Sequence, residues 1–349
     1  MSRLDGRPHE WVALHAFYAS DANPMIVDAV RPLVAELRRD QLINRWFFIK
    51  YWQEGPHVRV RLRPSCPELQ DEVTARAIGA LETFLQQRPA LYDTSIDGTD
   101  DMYKKMYIAE YGEEKWAQEY GVDGRMPLRP NNSVAVMRYE PEYDRYGGPV
   151  GMDIAECHFE RSSDFVAKLL TTSNPHVRPV LLGLAAQLSL MTVYTFLRDD
   201  AAVRRFFERY RRFWETSYQE PSDGYHSSFD KSYAVTKATL CERINRIRDL
   251  VTGDRGQAVS QMEQTWLIQA RELRERVLTA AQHGELSFPS ADRHGQTMLE
   301  DPEALATVLL SSYIHMTNNR LGIAILDEIY LSYLVERALG PDAELAEPA

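Results

Sequence analysis

The chain has 349 residues, 44% of them hydrophobic and 26% charged, a composition typical of a globular protein with one large domain or two ordinary ones. Its formal net charge of −11 argues against non-specific binding to nucleic acid, because phosphates attract a positive surface. Its 3 widely spaced cysteines include no CxxC pair, which excludes a zinc ribbon and a thioredoxin-type motif.

No segment near the N-terminus has the apolar core of a signal peptide, so we expect a cytoplasmic protein. The most apolar stretch, residues 180–197, approaches the length of a membrane span. It contains Gln187, Ser189 and Thr192, which favour a buried helix over a membrane helix. We therefore expect no membrane partner.

Strand and helix patterns alternate through the first part of the chain. Apolar and β-branched runs predict strands at 11–18, 45–51, 58–62 and 133–139. Helical periodicity predicts helices at 23–42 and 67–87, and short helices with loops between 101 and 130. The β-α-β-β-α order predicts a mixed or antiparallel sheet of the split βαβ type, with helices on one face.

The second part of the chain reads as nearly all helical, which makes the expected fold class α+β with a large C-terminal helical part. Predicted helices cover 154–172, 178–198, 200–218, 230–251, 257–283 and 302–338. We interpret 257–283 as a core helix, although a long amphipathic helix could also support a homodimer. The last residues, 341–349, are expected to be disordered.

A predicted strand carries three arginines at every second position. Because side chains alternate along a strand, Arg59, Arg61 and Arg63 should share one face and the intervening apolar residues the other. The arginines could pair with surface acids on a solvated face. Alternatively, they form a row of guanidinium groups that binds a carboxylate through paired hydrogen bonds.

Two further polar segments stand out. Glu142 and Arg145 precede Gly147-Gly148 in a turn, and they could be a local ion pair or a carboxylate and guanidinium at a ligand site. His315 lies in a predicted apolar helix, with Asn318, Asn319 and Arg320 one turn later.

A lone histidine in such a helix could be a core residue. Four polar side chains within six residues are nevertheless costly to bury without a ligand or a network. If this segment, the Glu142 turn and the arginine strand converge, they form one pocket for an anionic substrate with a titratable base.

Nucleotide, flavin and metal sites have no support in the sequence. There is no G-x-G-x-x-G, Walker A, G-x-S-x-G or H-E-x-x-H motif, and the remaining histidines lack a metal-ligand spacing. We expect no cofactor and no metal.

Three motifs, taken in order, resemble a known family: Pro56-His57-Val58-Arg59-Val60-Arg61, Glu142-x-x-Arg145-Tyr146-Gly147-Gly148 and His315-Met316-x-x-Asn319-Arg320. They resemble the C-terminal glutamate-elimination domain of class I lanthipeptide dehydratases, which also occurs as a stand-alone protein in thiopeptide pathways. The resemblance covers nearly the whole chain and implies a single elimination-type domain. Its sheet part would cover 1–150, its helical part 151–340 and its tail 341–349.

The resemblance implies that the protein acts on a precursor peptide, leader plus core, after a separate tRNA-dependent subunit has esterified Ser or Thr with glutamate. Elimination of glutamate would leave dehydroalanine or dehydrobutyrine. Arg59, Arg61 and Arg145 would hold the glutamyl carboxylates, and His315 and Glu142 would handle the protons. Arg63 and Arg320 are further candidates for substrate binding. No direct contact with nucleic acid is implied.

Two alternatives stay open. The same fold serves pyridine synthases of thiopeptide pathways, which join two dehydroalanines in a formal [4+2] cycloaddition and expel the leader peptide. The full set of elimination residues favours elimination, whereas the long segment 102–130 argues against a minimal elimination domain. The third candidate is a non-catalytic partner that presents the peptide.

Overall fold

A computed structural model describes residues 11–92, 100–121, 124–174, 177–218, 222–253, 259–289, 296–297 and 302–340. The chain divides into two compact units. The sheet unit comprises the residues up to Pro141 together with Phe159–Ser173, and the helical unit comprises Glu142–His158 together with the residues from Asn174 onward. The single elimination-type domain inferred from the sequence stays a prediction. Its expected tail, 341–349, lies outside the described residues.

The sheet unit contains a four-stranded sheet in which every pairing is antiparallel. The strands are β1 (Val12–Phe17), β2 (Ile43–Tyr51), β3 (His57–Pro64) and β4 (Ser133–Met137), in the order β2-β3-β1-β4. Strands β1 and β2 therefore run in the same direction with β3 between them, which is the split βαβ arrangement. The expected sheet is confirmed in its antiparallel form.

The helices of the sheet unit follow the predicted positions with local departures. They are α1 (Asn23–Met25), α2 (Arg31–Arg39), α3 (Gln70–Gln87), α4 (Asp100–Tyr111) and α5 (Glu113–Tyr120). A π-helical turn, Ile26–Val30, joins α1 to α2, and the Arg31 amide donates to the Ile26 carbonyl. This wider turn lies directly before Pro32, which has no amide hydrogen to continue a regular helical ladder.

Aromatic side chains hold α4 and α5 together. Their buried core consists of Tyr103, Tyr107, Trp116, Tyr120 and Met126, with Trp52 from the β2–β3 connection packed against it. The stacked rings of Trp52 and Tyr103 are 5.8 Å apart. Segment 102–130, which is longer than a minimal elimination domain would need, thus contains a folded pair of helices. This pair packs against the hairpin that carries the arginines.

The helical unit is built mainly from long helices, preceded by one short helix. They are α6 (Tyr143–Tyr146), the first turns of α7 (Gly148–Thr172), α8 (Arg178–Leu197), α9 (Asp200–Tyr218), α10 (Ser222–Thr252), α11 (Gln261–Gln282), α12 (Pro302–Leu321) and α13 (Ile325–Ala338). The C-terminal half of α7, from Phe159 onward, belongs to the sheet unit. By length and composition α8 could cross a membrane, yet 67% of its most apolar window is buried, as the interpretation as a core helix requires.

The last predicted helix is wrong in its extent. The stretch 302–338 is two helices rather than one, because the chain turns at Gly322. Gly322 has a φ of +87°, and its amide donates to the carbonyls of Asn318 and Asn319. A left-handed glycine of this kind ends a helix, so α13 returns beside the end of α12.

Candidate functional site

The register of the sheet places the three arginines on one side of β3. His15 lies opposite Arg59 and Ala13 lies opposite Arg61, while Val58, Val60 and Leu62 point to the other side and are fully buried. We call the side that carries Arg59, Arg61 and Arg63 the arginine face. The alternation in the sequence predicted it correctly.

Among the residues that the structure describes, no acidic side chain neutralises the charges on the arginine face. Within the described parts of the chain, no carboxylate lies within 4.0 Å of the three guanidinium groups, so the surface ion pairs considered from the sequence are not found. Arg61 is 5% exposed, and burial, followed by the positive charge of Arg59, lowers its pKa to about 9. Its charge is retained at neutral pH but is poorly solvated, which favours a bound anion.

Uncharged groups hold these arginines in place. Arg61 Nη2 lies 3.0 Å from His15 Nε2, and Arg59 Nε donates to His57 Nε2 at 3.2 Å. The Arg59 guanidinium also lies 3.5 Å above the centre of the Tyr51 ring, a cation–π contact. Neither His15 nor Tyr51 was singled out from the sequence as a site residue.

In the helical unit, Glu142 and Arg145 form the ion pair that was one of their two interpretations, with 3.2 Å between Oε2 and Nη1. Arg145 Nε donates to Ser312 Oγ at 3.2 Å, which ties the pair to α12 one turn before His315. Gly147, with φ +81°, ends α6 and lets the next helix start immediately. The turn therefore brings a carboxylate and a guanidinium to the helix that carries the histidine.

His315 has a carboxylate partner that sequence reasoning missed. Its Nδ1 lies 2.8 Å from Oε1 of Glu328, which is on α13 and 1% exposed. The ring also packs against Trp214, with 4.7 Å between centroids. The acidic pair Asp327-Glu328 inside an apolar helix was the signal available, and only the turn at Gly322 makes it face α12.

The Glu328 carboxylate is fixed by two further donors. Asn318 Nδ2 donates to Oε2 at 3.1 Å, and the Tyr210 hydroxyl donates to the same oxygen. Burial and the Glu328 charge raise the pKa of Tyr210, which keeps its hydroxyl protonated. A carboxylate accepts only, so Nδ1 of His315 carries the proton, and Nε2 has no hydrogen-bond partner within the described ranges. His315 is therefore oriented as a base, with a side chain 20% exposed.

A family model described as the C-terminal part of lantibiotic biosynthesis dehydratases matches residues 11–339. The chain belongs to this family. Membership in the lantibiotic dehydratase C-terminal family places the chain in the biosynthesis of ribosomally made, modified peptides. A search of curated protein sequences gives no match.

Solved structures share the fold of this lantibiotic dehydratase C-terminal protein. "Pyridine synthase, TbtD, from thiomuracin biosynthesis" has a TM-score of 0.71 and 19% identity, covering 97% of this chain and 100% of TbtD. TsrL has a TM-score of 0.66 and 16% identity, covering 96% of each chain. The tRNA-dependent lantibiotic dehydratase MibB from Microbispora sp. 107891 has a TM-score of 0.53 and 18% identity, covering 99% of this chain but 29% of MibB.

The remaining predicted site residue of this family member, Arg320, is fully buried, and its Nη1 donates to the Met316 carbonyl of its own helix at 2.7 Å. That bond stabilises the end of α12, and substrate binding by Arg320 stays a prediction. The described residues include no group of three or more histidine, cysteine or acidic side chains arranged to hold a metal.

The structure attaches the Glu142–Arg145 pair to α12 at Ser312, one turn before His315, and it brings the three strand arginines together on β3. These two sets belong to different units. That they act on one substrate remains a prediction.

Proposed function

We propose that the protein eliminates glutamate from glutamylated Ser or Thr of a ribosomal precursor peptide, forming dehydroalanine or dehydrobutyrine. The observation that carries this proposal is the arginine face, whose three guanidinium groups have no acidic partner among the described residues. A glutamyl ester keeps one free carboxylate, and its departure generates a second. Guanidinium groups bind carboxylates through paired, charge-assisted hydrogen bonds.

The reaction needs a base and a stabilised leaving group, and it needs no cofactor. The base removes the Cα proton of the modified residue, and the electron pair of the C–H bond forms the Cα=Cβ double bond. The Cβ–O bond breaks at the same time, and the oxygen leaves as a carboxylate of glutamate. Guanidinium groups stabilise this developing charge.

We assign the base to His315. Its Nδ1 hydrogen is bound by Glu328, which orients the ring and stabilises the imidazolium that forms when Nε2 takes a proton. Glu142 is 56% exposed and already paired with Arg145, which makes it the poorer base. We assign Arg145 and Glu142 to the positioning of the ester next to His315.

The test uses a short peptide with glutamate esterified to a serine. The purified protein should release free glutamate and leave dehydroalanine, measured by mass spectrometry of the peptide and an enzymatic glutamate assay. His315→Asn should stop release while the fold, followed by circular dichroism, is retained. Release of glutamate at the wild-type rate by this variant would refute His315 as the base.

A pyridine synthase is the second candidate, and one observation favours it. The pyridine synthase TbtD covers 97% of this chain with a TM-score of 0.71, compared with a TM-score of 0.53 for MibB. A peptide already carrying two dehydroalanines separates the two reactions. A pyridine synthase would cyclise it and expel the leader without releasing glutamate, whereas an eliminating enzyme would leave it unchanged.

The proposed reaction has consequences for partners. The proposed reaction acts on a precursor peptide that is already glutamylated, and we propose a separate tRNA-dependent subunit as the source of that modification. A non-catalytic presenting protein would be indicated instead if His315→Asn supported normal processing with that subunit present. A homodimer stays a prediction, which size-exclusion chromatography with light scattering would test.

A further inference from the structure

Two histidines lie beside the arginines on the arginine face. His15 on β1 lies directly across the ladder from Arg59, and His57 begins the same strand as the arginines. Their rings stack with 4.6 Å between centroids and 21° between planes. His57 is 4% exposed and His15 is 7% exposed, so neither ring is hydrated as a surface histidine would be.

The hydrogen-bond network fixes the role of each ring nitrogen. His57 Nδ1 lies 2.8 Å from the Gly55 carbonyl and must donate to it, which leaves Nε2 as the acceptor for Arg59. His15 Nε2 must likewise accept from Arg61, because a guanidinium group can only donate. Both imidazoles are therefore neutral acceptors in the folded protein.

The electrostatic setting agrees with this geometry. Burial, with the charges of nearby arginines, lowers the pKa of His57 to about 3 and lowers that of His15 even further. Neutral rings satisfy one hydrogen of each guanidinium without cancelling its charge. A carboxylate in the same place would orient the arginine equally well and would also neutralise it.

The arginines also retain unsatisfied hydrogen-bonding capacity. Within the described residues, the buried Nε atoms of Arg61 and Arg63 have no hydrogen-bond partner. An unpaired buried donor on a cation is costly, and an incoming anion offers both an acceptor and a countercharge.

We propose that His15 and His57 are positioning residues that hold Arg61 and Arg59 as uncompensated cations, ready to bind an anionic group. The imidazoles set the orientation of the guanidinium groups and preserve their charge. Only the identity of the anion, a glutamyl carboxylate, rests on the proposed function. The role of the histidines does not.

The test compares His57→Gln with His57→Glu, and His15→Gln with His15→Glu, in the full chain. Glutamine keeps a neutral acceptor of similar size, whereas glutamate adds the countercharge. Isothermal titration with L-glutamate, and separately with inorganic sulfate, should show affinities within about threefold of wild type for the glutamine variants. The glutamate variants should bind both anions at least about tenfold more weakly, the loss of roughly one charge-assisted hydrogen bond.

Thermal unfolding separates this role from a structural one. The glutamate variants should unfold at temperatures no lower than the glutamine variants, because a buried carboxylate would pair with the adjacent arginine. His283→Glu, which makes the same charge change on an exposed residue after α11, is the control and should leave anion binding unchanged. Equal anion affinities for the glutamine and glutamate variants would overturn the proposal, as would a wild-type protein that binds neither anion.

The outcome is also distinguishable from that of the proposed function. If anion binding depends on the histidines as described but the glutamylated peptide releases no glutamate, the elimination reaction is wrong and the positioning role stands. If glutamate is released equally well by the glutamine and glutamate variants, with the same KM, the elimination reaction stands and the positioning role is wrong.

Discussion

Lowering the pH from about 7.5 to about 5 should destabilise the protein through its two buried neutral histidines. His57 has a pKa near 3 in the folded state, lowered from the ordinary 6.5 first by burial and then by Arg59. The pKa of His15 is lowered further, by burial and then by Arg61. Arg129 and the other histidine also act on His15 with the same sign.

The direction and size of the effect follow from proton linkage. Between the folded and unfolded pKa values, the unfolded chain binds a proton that the folded protein excludes, so stability is present above about pH 6.5 and falls as the pH decreases below it. At about pH 5, a histidine with an unfolded pKa near 6.5 contributes a loss of about 2 kcal/mol. The two histidines together should therefore cost about 4 kcal/mol, a large part of the stability of an ordinary domain.

Urea unfolding at the two pH values, followed by circular dichroism, measures this loss. The double variant His15→Gln/His57→Gln provides the comparison, because it keeps every other titrating group. Between the two pH values, the free energy of unfolding of the wild type should fall by about 4 kcal/mol more than that of the double variant. Each single variant should recover about half of this difference. If wild type and the double variant lose the same free energy, the two rings are not neutral and buried as described.

Three further substitutions test the site and its scaffold. Glu328→Gln removes the charge that orients His315, so it should lower the rate of glutamate release about 100-fold or more with little change in KM. Full activity of this variant would contradict that role of Glu328. Arg61→Met removes a poorly solvated cation, so it should raise the free energy of unfolding by roughly 1–4 kcal/mol while it weakens L-glutamate binding. A destabilised variant would contradict this account. Gly147→Ala should lower the free energy of unfolding by about 1–3 kcal/mol, more than Gly253→Ala does. Both glycines have a φ of +81°, but only at Gly147 would the added carbon lie 2.8 Å from a phenyl ring. Equal losses measured by thermal unfolding would show that the ring contact does not matter.

Local patterns in the sequence determined much of the fold. Alternation through residues 57–63 placed the arginines on one side of a strand and the valines on the other, because the period of a strand is two residues wherever the strand pairs. The order of strands and helices was sufficient to indicate the split βαβ sheet, since few topologies connect such elements without crossings. The family motifs could be recognised in the sequence because each of them is contiguous in the chain.

Tertiary structure decided what each of these side chains meets. No local pattern pairs His15 with Arg61, because that contact depends on the register between β1 and β3, which are separated by a helix and another strand. His315 and Glu328 are in contact because Gly322 ends one helix and turns the next back, whereas the sequence pattern predicted a single helix over 302–338. Periodicity records which face of an element is buried, but the partner across that face is set by contacts between distant segments, and those are fixed only when the chain packs.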